Sequence, residues 1–141
     1  MALIAGFAAA AEAALADDRG AVGEMRDIAE RAALLCGAVI CGDPGRRLPN
    51  TTSLALPGAA ASVQVIALDL HKIAVSAGAA CSSGKVQTSH VLSAMGLGAM
   101  AGEAIRVSLP WNVTPFDIDA FVAAYQRVAA RLCPGLASRA A

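Results

Sequence analysis

The chain is short of aromatic rings and of charge. One Trp, one Tyr and three Phe are all the aromatics among 141 residues, so Ala, Val, Leu and Ile must fill the core. Charged side chains make up 16% of the chain against 57% apolar residues, a surface too poor in charge for one small domain standing alone. That balance predicts a buried interface with another domain or subunit. Eleven basic and eleven acidic residues cancel, and the lack of a basic stripe argues against a nucleic-acid partner. No apolar run is long enough to cross a bilayer. The opening MALIAGFAAAAEAALADD has no basic residue ahead of its apolar run, the first being Arg19, and Glu12 interrupts it. An amphipathic helix therefore fits better than a signal peptide.

The four cysteines, Cys36, Cys41, Cys81 and Cys133, match neither a CxxC pair nor a zinc knuckle, and two histidines complete no metal set. No metal site is expected. Reduced thiols in a cytoplasmic setting are the expectation. Cys36, Cys41 and Cys133 adjoin apolar segments and read as packing residues. Cys81 differs, lying in SAGAACSSGK among Ser, Gly and Ala.

At this length one domain can bury a core without disulfide staples. Leu3, Ile4, Phe7, Ala8, Ala11 and Leu15 recur at helical spacing. The helix starts almost at Met1 without a capping residue, which suggests an element whose natural beginning lies upstream. A break at residues 17–20 precedes a second helix with Met25, Ile28, Ala29, Ala32 and Leu35 on one face. GAVICGD predicts a strand closed by Asp43-Pro44-Gly45, and NTTSLALP a second strand closed by Pro57-Gly58. AASVQVIALDL predicts a helix and KIAVSA a third strand leading into the Cys81 loop. Ser89 to Met95 predicts a short helix capped near Thr88 or Ser89 and stopped by Gly96. AIRVSL is the last strand. In TPFD, Thr114 can cap, Pro115 suits the first helical position and Asp117 completes a capping box. The closing helix should bury Phe121, Val122, Tyr125, Val128, Ala129 and Leu132 and stop at Pro134-Gly135, leaving ASRAA disordered. The order α-α-β-β-α-β-α-β-α, with hairpin-like and crossover connections, predicts an α+β fold: a small antiparallel or mixed sheet covered by helices.

Two residues carry candidate chemistry. Cys81 follows a strand, with Ser82, Ser83 and Gly84 after it and Lys85 four residues on. A nearby cation and hydrogen-bond donors favour the attacking thiolate. The alternative is a small buried residue in a turn. Arg106, inside an apolar strand, is costly to bury unless it meets an anion, and its planar fork suits a carboxylate. The alternative is an arginine turned to solvent or paired with Glu103 or Asp117. Lys72, after His71, has the look of a Schiff-base lysine, but its place at a turn between helix and strand favours a solvated pair. His90, opening a short helix, reads as a capping or packing residue. Gly78, Gly84, Gly96 and Gly98 form no phosphate-binding pattern.

Three segments together, RRLPNTTSLALPG, LDLHKIAVSAGAACSSGKVQTSHVLSAMG and AIRVSLPWNVTPFDIDAFV, resemble the C-terminal part of cysteine desulfurases, enzymes of the class V aminotransferase group that use pyridoxal phosphate. With the two leading helices the resemblance covers nearly the whole chain. The family loop reads Ser-Ser-Gly-Ser-Ala-Cys-Thr-Ser-Gly; Ser76, Gly78, Ala80, Cys81, Ser83 and Gly84 keep it, while Ala77, Ala79 and Ser82 depart from it. The implied fold is the small domain of a fold-type I pyridoxal phosphate enzyme. The implied roles are Cys81 as the thiol that takes sulfur from L-cysteine, leaving a persulfide and releasing alanine, and Arg106 as the arginine that holds the substrate carboxylate. The loop must swing from the cofactor to a sulfur acceptor, and its form resembles the subgroup serving iron–sulfur cluster assembly. Pro110 stands where the family has glycine. The family's Schiff-base lysine, ring-stacking histidine and pyridine-binding aspartate belong to a large domain with no counterpart among these residues. The resemblance thus implies a small domain that needs a large-domain partner or a homodimer, with a non-catalytic persulfide carrier, an interaction module or an inactive remnant as alternatives.

Overall fold

A computed structural model describes residues 2–16, 19–43, 45–78 and 88–137. The elements are α1 (Ala2–Ala16), α2 (Arg19–Leu35), β1 (Val39–Ile40), β2 (Thr51–Ala55), α3 (Ala61–Asp69), β3 (Ser76–Ala77), α4 (His90–Ala94), a 3₁₀ turn (Gly98–Gly102), β4 (Ala104–Ser108), α5 (Pro115–Leu132) and α6 (Pro134–Ala137). The strands form one sheet in the order β1-β2-β4-β3, every pair antiparallel. This is the expected α+β fold, in its antiparallel rather than mixed form.

The β2–β4 ladder is the axis of the sheet. It pairs Thr51 with Ser108, Thr52 with Val107, Ser53 with Arg106, Leu54 with Ile105 and Ala55 with Ala104. Residues directly opposite share a face, and neighbours along a strand alternate. Leu54, Ile105 and Val107 therefore point together, into a core completed by Ala29 and Ala33 of α2 and by Ile118, Phe121, Tyr125 and Val128 of α5. Thr51, Ser53, Ala55, Ala104, Arg106 and Ser108 lie on the other face. Its Ala end is covered, because Cys41, Ala55 and Ala104 pack beneath Leu92, Leu97 and Met100 of the α4–3₁₀ segment. Its Thr/Ser/Arg end carries the functional candidates.

The closing helix forms as its sequence dictates. Thr114 Oγ1 accepts from Asp117 N–H at 3.3 Å, and Asp117 Oδ2 accepts from Thr114 N–H at 2.9 Å, the reciprocal capping box with Pro115 just inside. Phe121, Tyr125, Val128 and Ala129 are buried as expected. Pro134 ends this helix but opens a further turn, α6, since a proline is compatible with a first helical position. Apart from Ala137, the ASRAA tail lies outside the described residues.

Three expectations need correction. The buried face of α2 is built on Ala29, Glu30 and Ala33, with Val22 and Met25 packed beside them, whereas Ile28 and Leu35 are exposed. The stripe is rotated by about one residue because Glu30 turns inward to an arginine rather than to water. β1 is only two residues long, since Gly42 takes φ +113°, a left-handed conformation open to glycine, and Asp43 Oδ1 accepts from Gly45 N–H at 2.8 Å to make the turn. β3 starts at Ser76, because the preceding residues close α3: Lys72 sits at φ +64° and Ile73 N–H returns to Leu68 C=O at 3.1 Å.

The apolar surplus noted in the sequence is outside. No residue of α1 is buried, and Leu3, Ile4, Phe7 and Leu15 are all exposed, as are Trp111 and Phe116 beyond β4. The only ionisable side chain of α1 is Glu12, so the helix is apolar nearly all round rather than amphipathic, the pattern of an element that is covered on every side.

Candidate active site

Arg106 stands in mid-sheet, with Ser53 opposite it on β2 and Ser76 opposite it on β3. Its side chain is exposed and forms no hydrogen bond or ion pair among the described residues. Both proposed ion-pair partners are engaged elsewhere. Glu103 Oε1 accepts from Gly58 N–H at 3.0 Å, and Asp117 belongs to the α5 cap. The guanidinium, always protonated, is thus a charge left unneutralised by the described residues.

Two cavities meet at this residue. One of about 230 Å³ lies toward β3 and α4 and is lined by Ser53, Gly78, Ser89, Val91, Leu92 and Arg106, with Ala104 and Ile105 behind. The other, about 410 Å³, lies toward the loop after β1 and is lined by Cys41, Arg46, Arg47, Ser53, Met95 and Arg106 among others. Gly78 takes φ +65°, a left-handed conformation in which a Cβ would be strained. Ser89 caps α4, its Oγ accepting from Leu92 N–H at 3.3 Å. Cys81 and Lys85 themselves lie outside the described residues. The segment that holds them leaves from Gly78 and returns at Ser89, two residues of the same cavity wall.

The other thiols read as the sequence suggests. Burial pushes the Cys36, Cys41 and Cys133 thiols above the ordinary range, in Cys41 against hydrogen bonds from Ala55 and Ser53 that lower it. Cys133 Sγ donates to Pro57 C=O at 3.3 Å. No group of three or more metal-ligating side chains occurs among the described residues. His90 is exposed, and the cap belongs to Ser89. Lys72 is exposed, and it lines neither cavity. Pyridoxal phosphate requires a lysine amine in an enclosed site, and the described residues do not fit it.

Sequence reasoning missed Ser53, Arg46 and the Arg47–Glu30 pair. Arg47 grips both carboxylate oxygens of Glu30, with Nη2–Oε2 at 2.9 Å, and so anchors the 42–48 loop to α2. Ser53 was legible as a strand position, but its pairing with Arg106 depends on a register that no local pattern encodes.

No protein-family model matches the chain. It is 44% identical over 119 residues to a cysteine desulfurase of Cereibacter sphaeroides, covering 82% of this chain and 31% of that protein. It is 40% identical over 122 residues to a cysteine desulfurase of Sinorhizobium fredii, covering 82% and 32%. A third relative, "Cysteine desulfurase NifS" of Azotobacter vinelandii, is 34% identical over 135 residues, covering 92% and 34%. Among solved structures, a NifS-like protein aligns with TM-score 0.70 at 27% identity over 81% of this chain and 28% of its own. A NifS-like protein from Rickettsia africae aligns with TM-score 0.64 at 31% identity, over 79% and 29%. The chain thus spans about a third of the length of its relatives. With the loop motif, the arginine strand and the fold in agreement, the chain belongs to the cysteine desulfurase family, as the counterpart of one part, the small domain, of such an enzyme.

Proposed function

We propose that residues 1–141 form the small domain of a cysteine desulfurase, active together with a large domain that holds pyridoxal phosphate. The overall conversion is L-cysteine plus the Cys81 thiol giving alanine plus a Cys81 persulfide, whose outer sulfur then passes to an acceptor protein for iron–sulfur cluster or other sulfur biosynthesis. The cofactor supplies the electron sink that loosens the substrate C–S bond. This chain supplies the group that holds the substrate and the thiol that accepts its sulfur.

The observation that carries the reading is the unpaired Arg106 guanidinium at the wall from which the Cys81 segment departs. A carboxylate docked there gains charge-assisted, bidentate hydrogen bonds, with the Ser53 and Ser76 positions flanking it across the sheet. Three peptide units hold Cys81 within about 11 Å of Gly78, near enough for its sulfur to meet a substrate anchored on Arg106. The exposed apolar α1, Trp111 and Phe116 support a large partner surface, either a large domain or a second copy. The free thiols fit a reducing, cytoplasmic setting.

The test is complementation. The chain is combined with the first two-thirds of the Cereibacter sphaeroides relative, loaded with pyridoxal phosphate, and alanine release from cysteine is followed. Turnover should appear only with both parts, and mass spectrometry should find Cys81 heavier by one sulfur atom. Cys81→Ala should abolish the sulfur adduct, and Arg106→Gln should raise KM at least tenfold. Full turnover with Cys81→Ala, or an unchanged KM with Arg106→Gln, would defeat the assignment.

A further inference from the structure

The larger cavity at Arg106 has features that the sulfur-transfer reading does not use. One wall is the sheet, with Ser53 and Arg106; the other is the loop after β1, with Arg46 and Arg47. Arg46 is exposed and, like Arg106, has no partner among the described residues. Arg47 is neutralised by Glu30 through its two terminal nitrogens, but its Nε is buried with no acceptor. Buried donors without partners are uncommon and call for a ligand, ion or water. The one carboxylate on the wall, Asp43, has an oxygen committed to Gly45 N–H at 2.8 Å.

We propose that this cavity is an oxyanion site, with Arg46 and Arg106 as its cationic walls and the Arg47 Nε–H as a donor at its base. The ligand is a tetrahedral oxyanion, a phosphate or sulfonate group, either free or as the end of a small molecule. A flat carboxylate satisfies one planar fork; a tetrahedral anion presents acceptors in several directions and can meet two forks from opposite walls. The volume of about 410 Å³ leaves room for such a group with more of its molecule attached. The site shares Arg106 with the sulfur-transfer reading but rests on Arg46 and the loop, which that reading does not require.

The experiment is a titration of the purified chain with inorganic phosphate at constant ionic strength, read by the NMR signals of the arginine Nε–Hε groups. Chloride serves as the competing anion, and phenyl phosphate and methanesulfonate as tethered probes. Phosphate should shift Arg46, Arg47 and Arg106 together along one saturating curve while leaving Arg127 in place, and Arg46→Gln should weaken binding at least tenfold. Tighter binding of phenyl phosphate than of inorganic phosphate would assign the site to the end of a small molecule; the reverse would assign it to the free anion. Non-saturating shifts, equal shifts with chloride, or undiminished binding with Arg46→Gln would overturn the proposal. The complementation assay reads Cys81 and the substrate carboxylate, so phosphate binding can fail while sulfur transfer stands, and the converse.

Discussion

Glu30→Ala should cost about 3 kcal/mol, because it removes one half of a mostly buried ion pair and leaves the other half behind. The Glu30 side chain is 7% exposed and that of Arg47 19% exposed, and Arg47 already has a buried Nε without an acceptor. Losing one partner of a buried pair costs about 3–5 kcal/mol; the residual solvent contact of Arg47 argues for the lower end. The other carboxylate nearby, Asp27, is held by Arg26 at 2.5 Å, and Arg26 itself, its Nε 3.8 Å from Glu30 Oε1, is a cation that cannot neutralise Arg47. Urea unfolding followed by circular dichroism at neutral pH measures the loss directly, and in a thermal scan it amounts to roughly 10 °C in Tm for a domain of this size. The double variant Glu30→Met with Arg47→Met should recover to within about 1 kcal/mol of the parent, since an apolar pair of similar volume strands no charge. A loss below about 1 kcal/mol in Glu30→Ala, or a double variant worse than the single, would refute the argument that an uncompensated guanidinium is what costs stability.

Three further predictions follow from single positions. Lys72→Gly should stabilise the fold by about 0.5–1 kcal/mol in the same urea assay, because Lys72 occupies a left-handed φ of +64° that glycine adopts without strain; a destabilised variant would mean that the lysine stem packs in a way that matters more. Tyr125→Phe should be neutral or stabilising by about 1 kcal/mol, since the tyrosine Oη is buried and unpartnered. Burial also raises the Tyr125 pKa well above its ordinary value. The parent's contribution from this group is therefore complete below about pH 10 and is lost as pH rises further, so the Phe variant should resist alkali better; a cost above about 1 kcal/mol would reveal a bonded hydroxyl. Hydrogen bonds from Thr114 hold the Asp117 carboxyl below its ordinary pKa. Its cap is present above about pH 4 and is lost as pH falls through the depressed value, so the protection of amides at the start of α5, taken relative to intrinsic exchange at each pH, should fall in acid in the parent and stay level there in Asp117→Asn.

Local patterns were enough for much of this protein. Thr114, Pro115 and Asp117 specify the start of α5 through bonds within four residues, and the apolar spacing beyond them specifies its buried face. The alternation of Thr51 to Ala55 and of Ala104 to Ser108 marks both central strands. The loop motif around Cys81 and the strand motif around Arg106 identify the family without any coordinates. What lay beyond the sequence depends on contacts between residues far apart in it. Glu30 turns inward because Arg47 meets it across 17 positions, and that rotates the face of α2 away from its apolar period. The register that sets Ser53 and Ser76 beside Arg106 comes from strand pairing, and a slip of one residue would put all three on the other face. Arg106 has no ion-pair partner among the described residues, while Glu103 and Asp117 accept from the backbone N–H groups of Gly58 and Thr114, an arrangement that only the folded chain decides.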